Sequence, residues 1–387
     1  MAARRAARGR PPQTVRVRTL GVEEEFLLVT PEGQPRAVAA AVLRAAVLDA
    51  GTDPGDAADE PGGALEKEFK QEQIEISTRP RETLADLLDE VCAGRDLADS
   101  YARDAGARIA ALGTPPQAVE STVLADARAH RIRAEFGQTA RDQLTCGCHV
   151  HVSVADDEEG VRVLDHLRAW TPVLLALSAN SPSWQGARTG YASYRSQVWG
   201  RWPSAGPTSP FGDAAGYRAL VDDLLGTGAV LDRGMLYFDA RLSDRYPTVE
   251  VRVADVCLDA ADAVLQAALV RGLAETATRP DAVPPEPPRV ELVRAATWRA
   301  ARSGLTGELV SPAAWQPRPA ADVVRELVDH VRGALAEAGD LDWVERQVDD
   351  VLTRGNGAMQ QLAWRAEGAD DAEVVRRAVD RTSAREG

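Results

Sequence analysis

Strict alternation of apolar and charged residues marks the segment Thr248-Val249-Glu250-Val251-Arg252-Val253. Successive side chains of a β-strand point to opposite faces of the sheet. The three valines would therefore share one face, while Glu250 and Arg252 would share the other. The pattern predicts a half-buried strand with an apolar back and a charged front.

Three further segments repeat this alternation: Gly21-Val22-Glu23-Glu24-Glu25-Phe26, Gln73-Ile74-Glu75-Ile76-Ser77 and Cys146-Gly147-Cys148-His149-Val150-His151-Val152. The polar groups that face away from the apolar side chains are Glu23, Glu25, Glu75, His149 and His151. Glu24 interrupts the pattern in the first segment. One glutamate of this kind would be explained by a solvated strand face. Four such strands together favour a single polar site on one face of a sheet.

The carboxylates of this predicted site outnumber the basic residues near them in sequence. A buried carboxylate without a partner is costly, and bound Mg²⁺ or Mn²⁺ would balance the charge because hard cations take oxygen ligands. Mn²⁺ also accepts an imidazole among them. A zinc site built from Cys146, Cys148, His149 and His151 conflicts with the strand geometry, since cysteines and histidines face opposite sides. The two cysteines are expected to be small core residues.

The order of elements predicts an α+β fold, because strands and helices mix without regular βαβ alternation. Predicted strands cover Val15–Val29 and Phe69–Thr78, predicted helices run from Pro80 to Leu112 and over Val161–Ala179, and an aromatic polar loop covers Ser181–Gly212. The predicted organisation is a disordered basic arm (1–14), a sheet-and-helix core that carries the site (15–278), a Pro-rich connection (279–289) and a helical part packed on the same domain (290–387).

Composition excludes several classes of protein. The net charge of the 387 residues is −14, which argues against a general nucleic-acid binder. The only lysines are Lys67 and Lys70, and no Gly-Lys-Ser/Thr occurs, so a P-loop NTPase is excluded. The 4 cysteines are too few for a disulfide scaffold, and no apolar window is long enough to span a membrane. These features predict a cytoplasmic protein.

The quoted segments at 21–26, 146–152 and 248–253 resemble motifs of the bacterial carboxylate–amine ligases of the glutamate–cysteine ligase type 2 family. Two other motifs add to the likeness, Tyr191-Ala192-Ser193-Tyr194-Arg195-Ser196 and Trp298-Arg299-Ala300-Ala301-Arg302. Trp199 and the loop Pro203-Ser204-Ala205-Gly206-Pro207 also resemble that family. The resemblance implies a glutamine synthetase-like fold, in which a curved, mostly antiparallel sheet forms a half-barrel with helices packed on its outer face.

The resemblance also implies ATP and Mg²⁺ or Mn²⁺ as cofactors on the inner face of the sheet. The implied metal ligands are Glu23, Glu25, Glu68, Glu75, His149 and Glu250, with Glu68 and Glu75 on one strand. Nucleotide or phosphate contacts are implied for His151 and Arg241. Arg252 would hold the transferring γ-phosphoryl group, and Arg195 would hold the amino-acid carboxylate or the acyl phosphate.

The function implied by the resemblance is an ATP-dependent carboxylate–amine ligase that forms an amide through an acyl phosphate, with weak glutamate–cysteine ligation. Its partners would be small amino-acid and amine substrates, and a homodimer is left open. The alternatives are a guanidino or carboxylate phosphotransferase on the same fold, a catalytically silent nucleotide-binding protein, and a metal-dependent hydrolase. Phosphate release that depends on both an acid and an amine distinguishes a ligase from a kinase.

Overall fold

The computed structural model describes residues 17–50, 62–279 and 288–384. The strands are β1 (Leu20–Val29), β2 (Leu65–Lys67), β3 (Gln73–Ser77), β4 (Arg108–Ala110), β5 (Gly147–Ser153), β6 (Ser183–Trp184), β7 (Ala187–Arg188), β8 (Ala240–Leu242), β9 (Thr248–Asp255), β10 (Glu308–Val310) and β11 (Pro317–Pro319). The helices are α1 (Ala39–Ala50), α2 (Leu84–Asp104), α3 (Ala127–Asp142), α4 (Asp157–Leu167), α5 (Thr171–Ser178), α6 (Arg195–Trp199), α7 (Ala214–Gly226), α8 (Ala260–Ala277), α9 (Val290–Ser303), α10 (Ala320–Ala338), α11 (Leu341–Arg354), α12 (Gly357–Ala366) and α13 (Asp371–Thr382). The predicted basic arm, and all but the ends of the predicted Pro-rich connection, lie outside the described residues.

One open sheet organises the described part of the chain. It has 7 strands, with the order β2-β3-β1-β5-β9-β8, and β4 pairs with the far end of β1. Each of these pairings is antiparallel. The predicted α+β class with a mostly antiparallel sheet is thereby confirmed.

The back of the sheet packs on helix α8, which is buried along almost its whole length. Val22, Val150 and Val251, from three neighbouring strands, lie in the same apolar cluster as Val264 and Leu269 of this helix. Each side chain of this size contributes roughly 1.5–3 kcal/mol when fully buried. Because this apolar face is covered by helices, the alternating polar residues of the same strands are left on the front.

Glu24 interrupts the alternation because it lies on the back of the sheet, where it is paired. Its two carboxylate oxygens accept hydrogen bonds from Arg95 of α2 at 2.6 and 2.9 Å. Arg95 also donates to the carbonyl oxygens of Cys257 and Leu258, at 2.8 and 3.0 Å. The guanidinium thus compensates for the burial of a carboxylate inside an apolar layer.

The prediction of one helix from Pro80 to Leu112 is wrong beyond Asp104. Gly106 adopts a left-handed φ of 68°, and the amides of Gly106 and Ala107 donate to the carbonyls of Arg103 and Ala102 at 2.9 and 2.8 Å. This is the Schellman arrangement that ends helices. Ile109 therefore lies in strand β4, where it pairs with Leu28.

Other predicted boundaries also change. The predicted helix over Val161–Ala179 is two helices, α4 and α5, separated at Arg168–Trp170. The predicted strand over Phe69–Thr78 begins only at Gln73, and that over Val15–Val29 begins at Leu20. The predicted loop over Ser181–Gly212 contains the β6–β7 hairpin and helix α6.

The segment after residue 288 is mainly helical and packs on the sheet-bearing part. Helix α10 contacts α8, α9 contacts α5, and α13 contacts β4. The division into the four predicted parts stays a prediction. In the part of the chain that the structure describes, we find no helix with the length and apolar character needed to cross a membrane.

Candidate active site

The register of the sheet brings the polar residues of four strands into contact on its front. Glu23 of β1 lies opposite His149 of β5, and Glu25 lies opposite Glu75 of β3. On the other side, His151 lies opposite Glu250 of β9, which in turn faces Arg241 of β8. Alternation places each residue on this face, whereas strand order and register determine which residues meet.

Glu23 connects the two imidazoles. Its carboxylate lies 3.3 Å from Nδ1 of His149 and 2.9 Å from Nε2 of His151. Burial raises the pKa of Glu23, but the attraction of His151 and hydrogen bonds from both imidazoles outweigh it, so that its pKa falls well below the usual range. Glu23 is therefore a carboxylate at neutral pH.

His149 offers a free ring nitrogen to the site. Burial and the nearby charge of Arg252 lower the pKa of His149 to about 4, so the ring is neutral at pH 7. If Nδ1 donates to Glu23, the lone pair lies on Nε2, which is buried without a hydrogen-bond partner. A neutral imidazole with one nitrogen oriented by a carboxylate is the usual form of a metal-ligating histidine.

A second acidic group lies on the β2–β3 side. Carboxylate oxygens of Glu25, Glu68 and Glu75 all lie within 4.8 Å of one another. Burial and repulsion by Glu25 raise the pKa of Glu68 to about 7. Burial and the charges of Glu23, Glu68 and Glu25 raise the pKa of Glu75 well above its usual range. For all three, including Glu25, burial and neighbouring carboxylates outweigh the positive charge nearby.

The two front arginines of the sheet both bond Glu250, and the charges of Arg195 and Arg252 offset the burial of Glu25 only in part. Arg241 donates from Nε to Glu250 at 2.8 Å, and Arg252 donates from Nη1 to the same carboxylate. Burial raises the pKa of Glu250, but Arg252 and Arg241 outweigh it and lower the pKa strongly. Glu250 is therefore ionised and fully paired, whereas the carboxylates across the site are not.

The donor set fits divalent cations. Three groups of side chains each have ligand atoms within 4.8 Å: Glu23, Glu75 and His149; Glu23, His151 and Glu250; Glu25, Glu68 and Glu75. Carboxylate oxygens with one imidazole suit Mg²⁺ or Mn²⁺. The thiols take no part: Cys148 lies in the apolar cluster behind the sheet, and Cys146 lies in a second one.

A cavity with a volume of about 740 Å³ lies in front of these residues. Its walls include Glu23, Glu75, His151, Arg241 and Glu250. A volume of this size is typical for a nucleotide-sized ligand. Acidic side chains line the base of this cavity, and arginine side chains lie beside them. A phosphate chain with bound cations requires both kinds of charge.

Arg252 lies where three cavities meet. It lines the large cavity, a second of about 240 Å³ beside Glu25 and Glu68, and a third of about 270 Å³ beside Arg195. Among the described residues it is the only one common to all three. Trp199 separates the second cavity from the third and lies 6.0 Å from the guanidinium of Arg252.

Arg195 lies beneath Arg252 and is only 2% exposed. It donates to the carbonyl oxygens of Arg252 and Val253 at 3.2 and 3.3 Å. Gly147 makes room for it, since a Cβ there would lie 2.3 Å from Nη2 of Arg195. Arg195 thus lines the third cavity and also supports the strand that carries Arg252.

Not every sequence-based placement holds. Glu68 follows β2 and Glu75 lies on β3, so the two do not share one strand. His151, predicted to contact nucleotide, is also within reach of a metal.

Two residues of the site were missed. Glu66 alternates with the acidic Glu68 and lies opposite Glu75, a pattern too short to detect in sequence. Asp239 precedes β8 and reaches the site only through tertiary folding.

Comparison with known proteins identifies the family of the chain. The family model described as glutamate-cysteine ligase family 2 matches residues 19–381, which confirms the predicted resemblance. A protein of Paenarthrobacter aurescens named "Putative glutamate--cysteine ligase 2-1" is 50% identical, with 90% of each chain covered. One of Streptomyces coelicolor named "Putative glutamate--cysteine ligase 2" is also 50% identical, over 95% of this chain and 100% of that one.

Two solved structures share the fold at low sequence identity. The glutamate–cysteine ligase of Francisella tularensis, solved with AMP, has a TM-score of 0.66 at 15% identity, covering 96% of this chain and 90% of that one. The bifunctional glutathione synthetase of Pasteurella multocida has a TM-score of 0.69 at 15% identity, covering 95% of this chain and 52% of that one. At this identity the likeness concerns the fold alone.

Proposed function

Because the chain belongs to glutamate–cysteine ligase family 2, we propose that it is an ATP-dependent carboxylate–amine ligase that works through an acyl phosphate. Glutamate and cysteine are the first substrates to test, since the relatives carry that name. The observation that carries the proposal is the position of Arg252, where the large cavity meets two smaller ones. A reaction that joins ATP, an acid and an amine needs such a junction.

The proposed reaction has two balanced steps. The carboxylate of the acid attacks the γ-phosphorus of ATP, so that a C–O–P bond forms and ADP leaves. The amine then attacks the acyl carbon, so that a C–N bond forms, inorganic phosphate leaves and the amine loses a proton. Activation is needed because oxide is a poor leaving group from a free carboxylate.

Each front residue has a proposed role in binding. Arg252 would hold the transferring phosphoryl group, because its Nε is buried without a hydrogen-bond partner and its planar fork suits phosphate oxygens. Arg241 would contact the phosphate chain, and His151 the nucleotide. Arg195 would face the carboxylate of the acid. Fixed positive charge at the transferring group is the main source of catalysis in such transfers.

The proposed cation ligands are Glu23, Glu25, Glu68, Glu75, His149 and Glu250. When bound, Mg²⁺ or Mn²⁺ would neutralise charge on the phosphate oxygens. The support for this assignment is the excess of carboxylates without an arginine partner on this face: Glu25, Glu68 and Glu75 lie together without an arginine hydrogen bond among the described contacts.

The proposal extends to the setting of the protein. We propose small-molecule substrates and no nucleic acid, which the net charge of −14 and the size of the cavities support. A cytoplasmic location is supported by the need for ATP and by the cysteines Cys92, Cys146, Cys148 and Cys257, none of which forms a disulfide. A homodimer stays a prediction.

The test is release of ADP and phosphate by the purified protein across a matrix of amino acids and amines. We expect ADP release to require an acid, an amine and Mg²⁺ or Mn²⁺, and to stop with EDTA. A stable phosphorylated product formed without an amine would instead identify a phosphotransferase. Zinc-dependent turnover without ATP would identify a hydrolase, and no ADP release with any pair would identify a silent protein.

A matched pair of variants tests the acidic group. Glu75→Gln should lower ATP turnover about 100-fold or more, because it removes the negative charge of a proposed cation ligand. Glu120→Gln is the control, since this glutamate is exposed and does not line the cavity. Thermal unfolding should show both variants folded. Equal activity of the two variants would contradict the assignment of Glu75.

A further inference from the structure

Asp255, the last residue of β9, carries a buried carboxylate to which the proposed reaction gives no role. The side chain is 0% exposed and lines none of the three cavities described above. It follows Arg252 on the same strand. Because a buried carboxylate is costly unless it accepts hydrogen bonds, the partners of Asp255 indicate what it holds together.

Both oxygens of this carboxylate accept hydrogen bonds from one loop. Oδ2 accepts from the amide of Asn180 at 2.9 Å and from the hydroxyl of Ser181 at 2.6 Å. Oδ1 accepts from the hydroxyl of Ser193 at 2.8 Å. Ser181 and Ser193 also pair with each other in a short parallel bridge. Asp255 thus joins the two ends of the loop that contains the β6–β7 hairpin.

The same two hydroxyls hold the start of helix α6. Oγ of Ser181 accepts from the amide of Arg195, the first residue of this helix, at 2.9 Å. Oγ of Ser193 accepts from the amide of Ser196 at 3.4 Å. The first amides of a helix have no partner within the helix, so the two serines provide the acceptors. Because both hydroxyls donate to Asp255, the carboxylate fixes their orientation.

The side chain of Arg195 faces the same carboxylate. Its Nη1 lies 3.9 Å from Oδ1 of Asp255, while its guanidinium donates to the carbonyls of Arg252 and Val253. Burial raises the pKa of Asp255, and the charge of Arg195 together with the hydrogen bonds of the loop opposes this. Two buried opposite charges thus compensate each other.

Helix α6 also carries Trp199, which lies beside both guanidinium groups. The centre of its ring is 5.7 Å from the guanidinium of Arg195 and 6.0 Å from that of Arg252. A shift of the first turn of α6 would therefore move Arg195 and Trp199 together, relative to Arg252 on the sheet.

We propose that Asp255 is a positioning residue, which acts through the hydroxyls of Ser181 and Ser193 to fix Arg195 relative to Arg252. It touches no substrate. The kinetic consequence of this inference rests on the proposed function, in which Arg195 faces the acid. A carboxylate that only stabilised the core would not distinguish the acid from ATP.

Asp255→Asn tests the inference with almost no change in size. The amide of Asn180 and the hydroxyl of Ser181 both need an acceptor, so the oxygen of the new side chain takes the place of Oδ2. Its nitrogen then takes the place of Oδ1 and faces Ser193 and Arg195, which are donors. The substitution therefore disturbs the end of the network that holds α6 and keeps the other end.

The kinetic measurement varies glutamate and ATP independently. Asp255→Asn should lower kcat/KM for glutamate about 10-fold or more, mainly through KM, because a small displacement of a positioning group is costly. The KM for ATP should stay nearly unchanged. In an Arg195→Lys background, Asp255→Asn should change kcat/KM less than about twofold, since effects of coupled residues do not add. Additive effects, or equal changes in both KM values, would overturn the inference.

Two matched controls separate positioning from stability. Asp340→Asn also neutralises a buried carboxylate that pairs with a buried arginine, Arg271, and should lower the melting temperature with little change in either KM. Ser193→Ala should raise the KM for glutamate by about 3–5-fold. Ser178→Ala, which removes a buried hydroxyl that bonds only within α5, should leave that KM unchanged.

Hydrogen exchange of the full chain without ligands provides a readout that does not depend on activity. Asp255→Asn should speed exchange of the amides in residues 193–200 by about 10-fold or more, whereas Asp340→Asn should leave these amides unchanged. Faster exchange with no ADP release by the wild type would refute the ligase proposal but support the positioning of α6. Unchanged exchange in Asp255→Asn would overturn the positioning, whatever the activity.

Discussion

Replacing Arg252 by lysine keeps the positive charge at the junction of the three cavities but removes the planar fork. In the structure Nη1 of Arg252 bonds Glu250, while Nε is buried without a hydrogen-bond partner. The remaining edge of the guanidinium is therefore available for phosphate oxygens. Lysine has one nitrogen, which Glu250 would attract, and its backbone amide would stay fixed by Asp239.

The expected loss follows from the hydrogen bonds that lysine cannot make. A hydrogen bond to a charged group contributes about 1.5–3 kcal/mol, so losing one or two at the transferring phosphoryl group costs roughly 3 kcal/mol. Each 1.36 kcal/mol corresponds to tenfold in rate. We therefore expect Arg252→Lys to lower kcat by about 100-fold or more, with little change in the KM for ATP.

Arg195→Lys is the comparison that tests the division of labour between the two arginines. Arg195 lines the third cavity and not the large one. Its replacement should raise the KM for the acid and leave the KM for ATP nearly unchanged. It should also lower the melting temperature, because two hydrogen bonds to carbonyls of β9 are lost.

Steady-state kinetics with ATP and the acid varied independently measure these effects. Equal changes in both KM values for the two variants would show that the arginines do not divide between phosphate and acid. A wild-type kcat for Arg252→Lys would refute the argument that the fork stabilises the transition state.

Three further outcomes concern stability. Glu24→Ala should destabilise the fold by about 3–5 kcal/mol, because it leaves the buried Arg95 without its carboxylate, and a loss under 1 kcal/mol in urea unfolding would contradict the pairing. Cys148→Ala should alter the unfolding midpoint more than kcat, so rapid labelling of the native thiol with parallel loss of turnover would refute a purely structural role. Burial and His330 lower the pKa of His166 to about 4, below the ordinary value of about 6.5. Between pH 4 and pH 6.5 the unfolded chain therefore binds more protons than the folded one. The contribution of His166 to the free energy of unfolding should be fully present above about pH 6.5 and fall by about 1–3 kcal/mol toward pH 4. His166→Gln should flatten that decline in urea unfolding, and an unchanged decline would exclude His166 as its source.

The residues of one strand could be assigned to faces from sequence alone. Alternation has a period of two and is a local property, so the front positions of Glu23, His149, Glu250 and Arg252 could be predicted from their own segments. The same rule placed the thiol of Cys148 on the back, where the structure finds it in the apolar cluster. Family likeness then suggested a role for each group, and these roles stay proposals.

Helix limits were less predictable where apolar spacing continued past the helix. Ile109 fits the helical spacing that precedes it, yet the left-handed backbone of Gly106 ends α2 and sends the chain into β4. Apolar spacing reports which side chains are buried and does not by itself distinguish a helix end from a turn into a strand.

The meeting of residues from different segments depended on the tertiary structure. Strand order places Glu23 opposite His149. The packing of α2 on the sheet gives Glu24 its partner Arg95. Helix α9 brings Arg294 to the third cavity, which Asp239 also lines. The residues of these three pairs are 55 to 126 positions apart in the chain, so no local sequence pattern joins them. The sequence of a segment determines its periodicity and burial, whereas such partnerships arise only when the whole core packs and its long-range pairings form together.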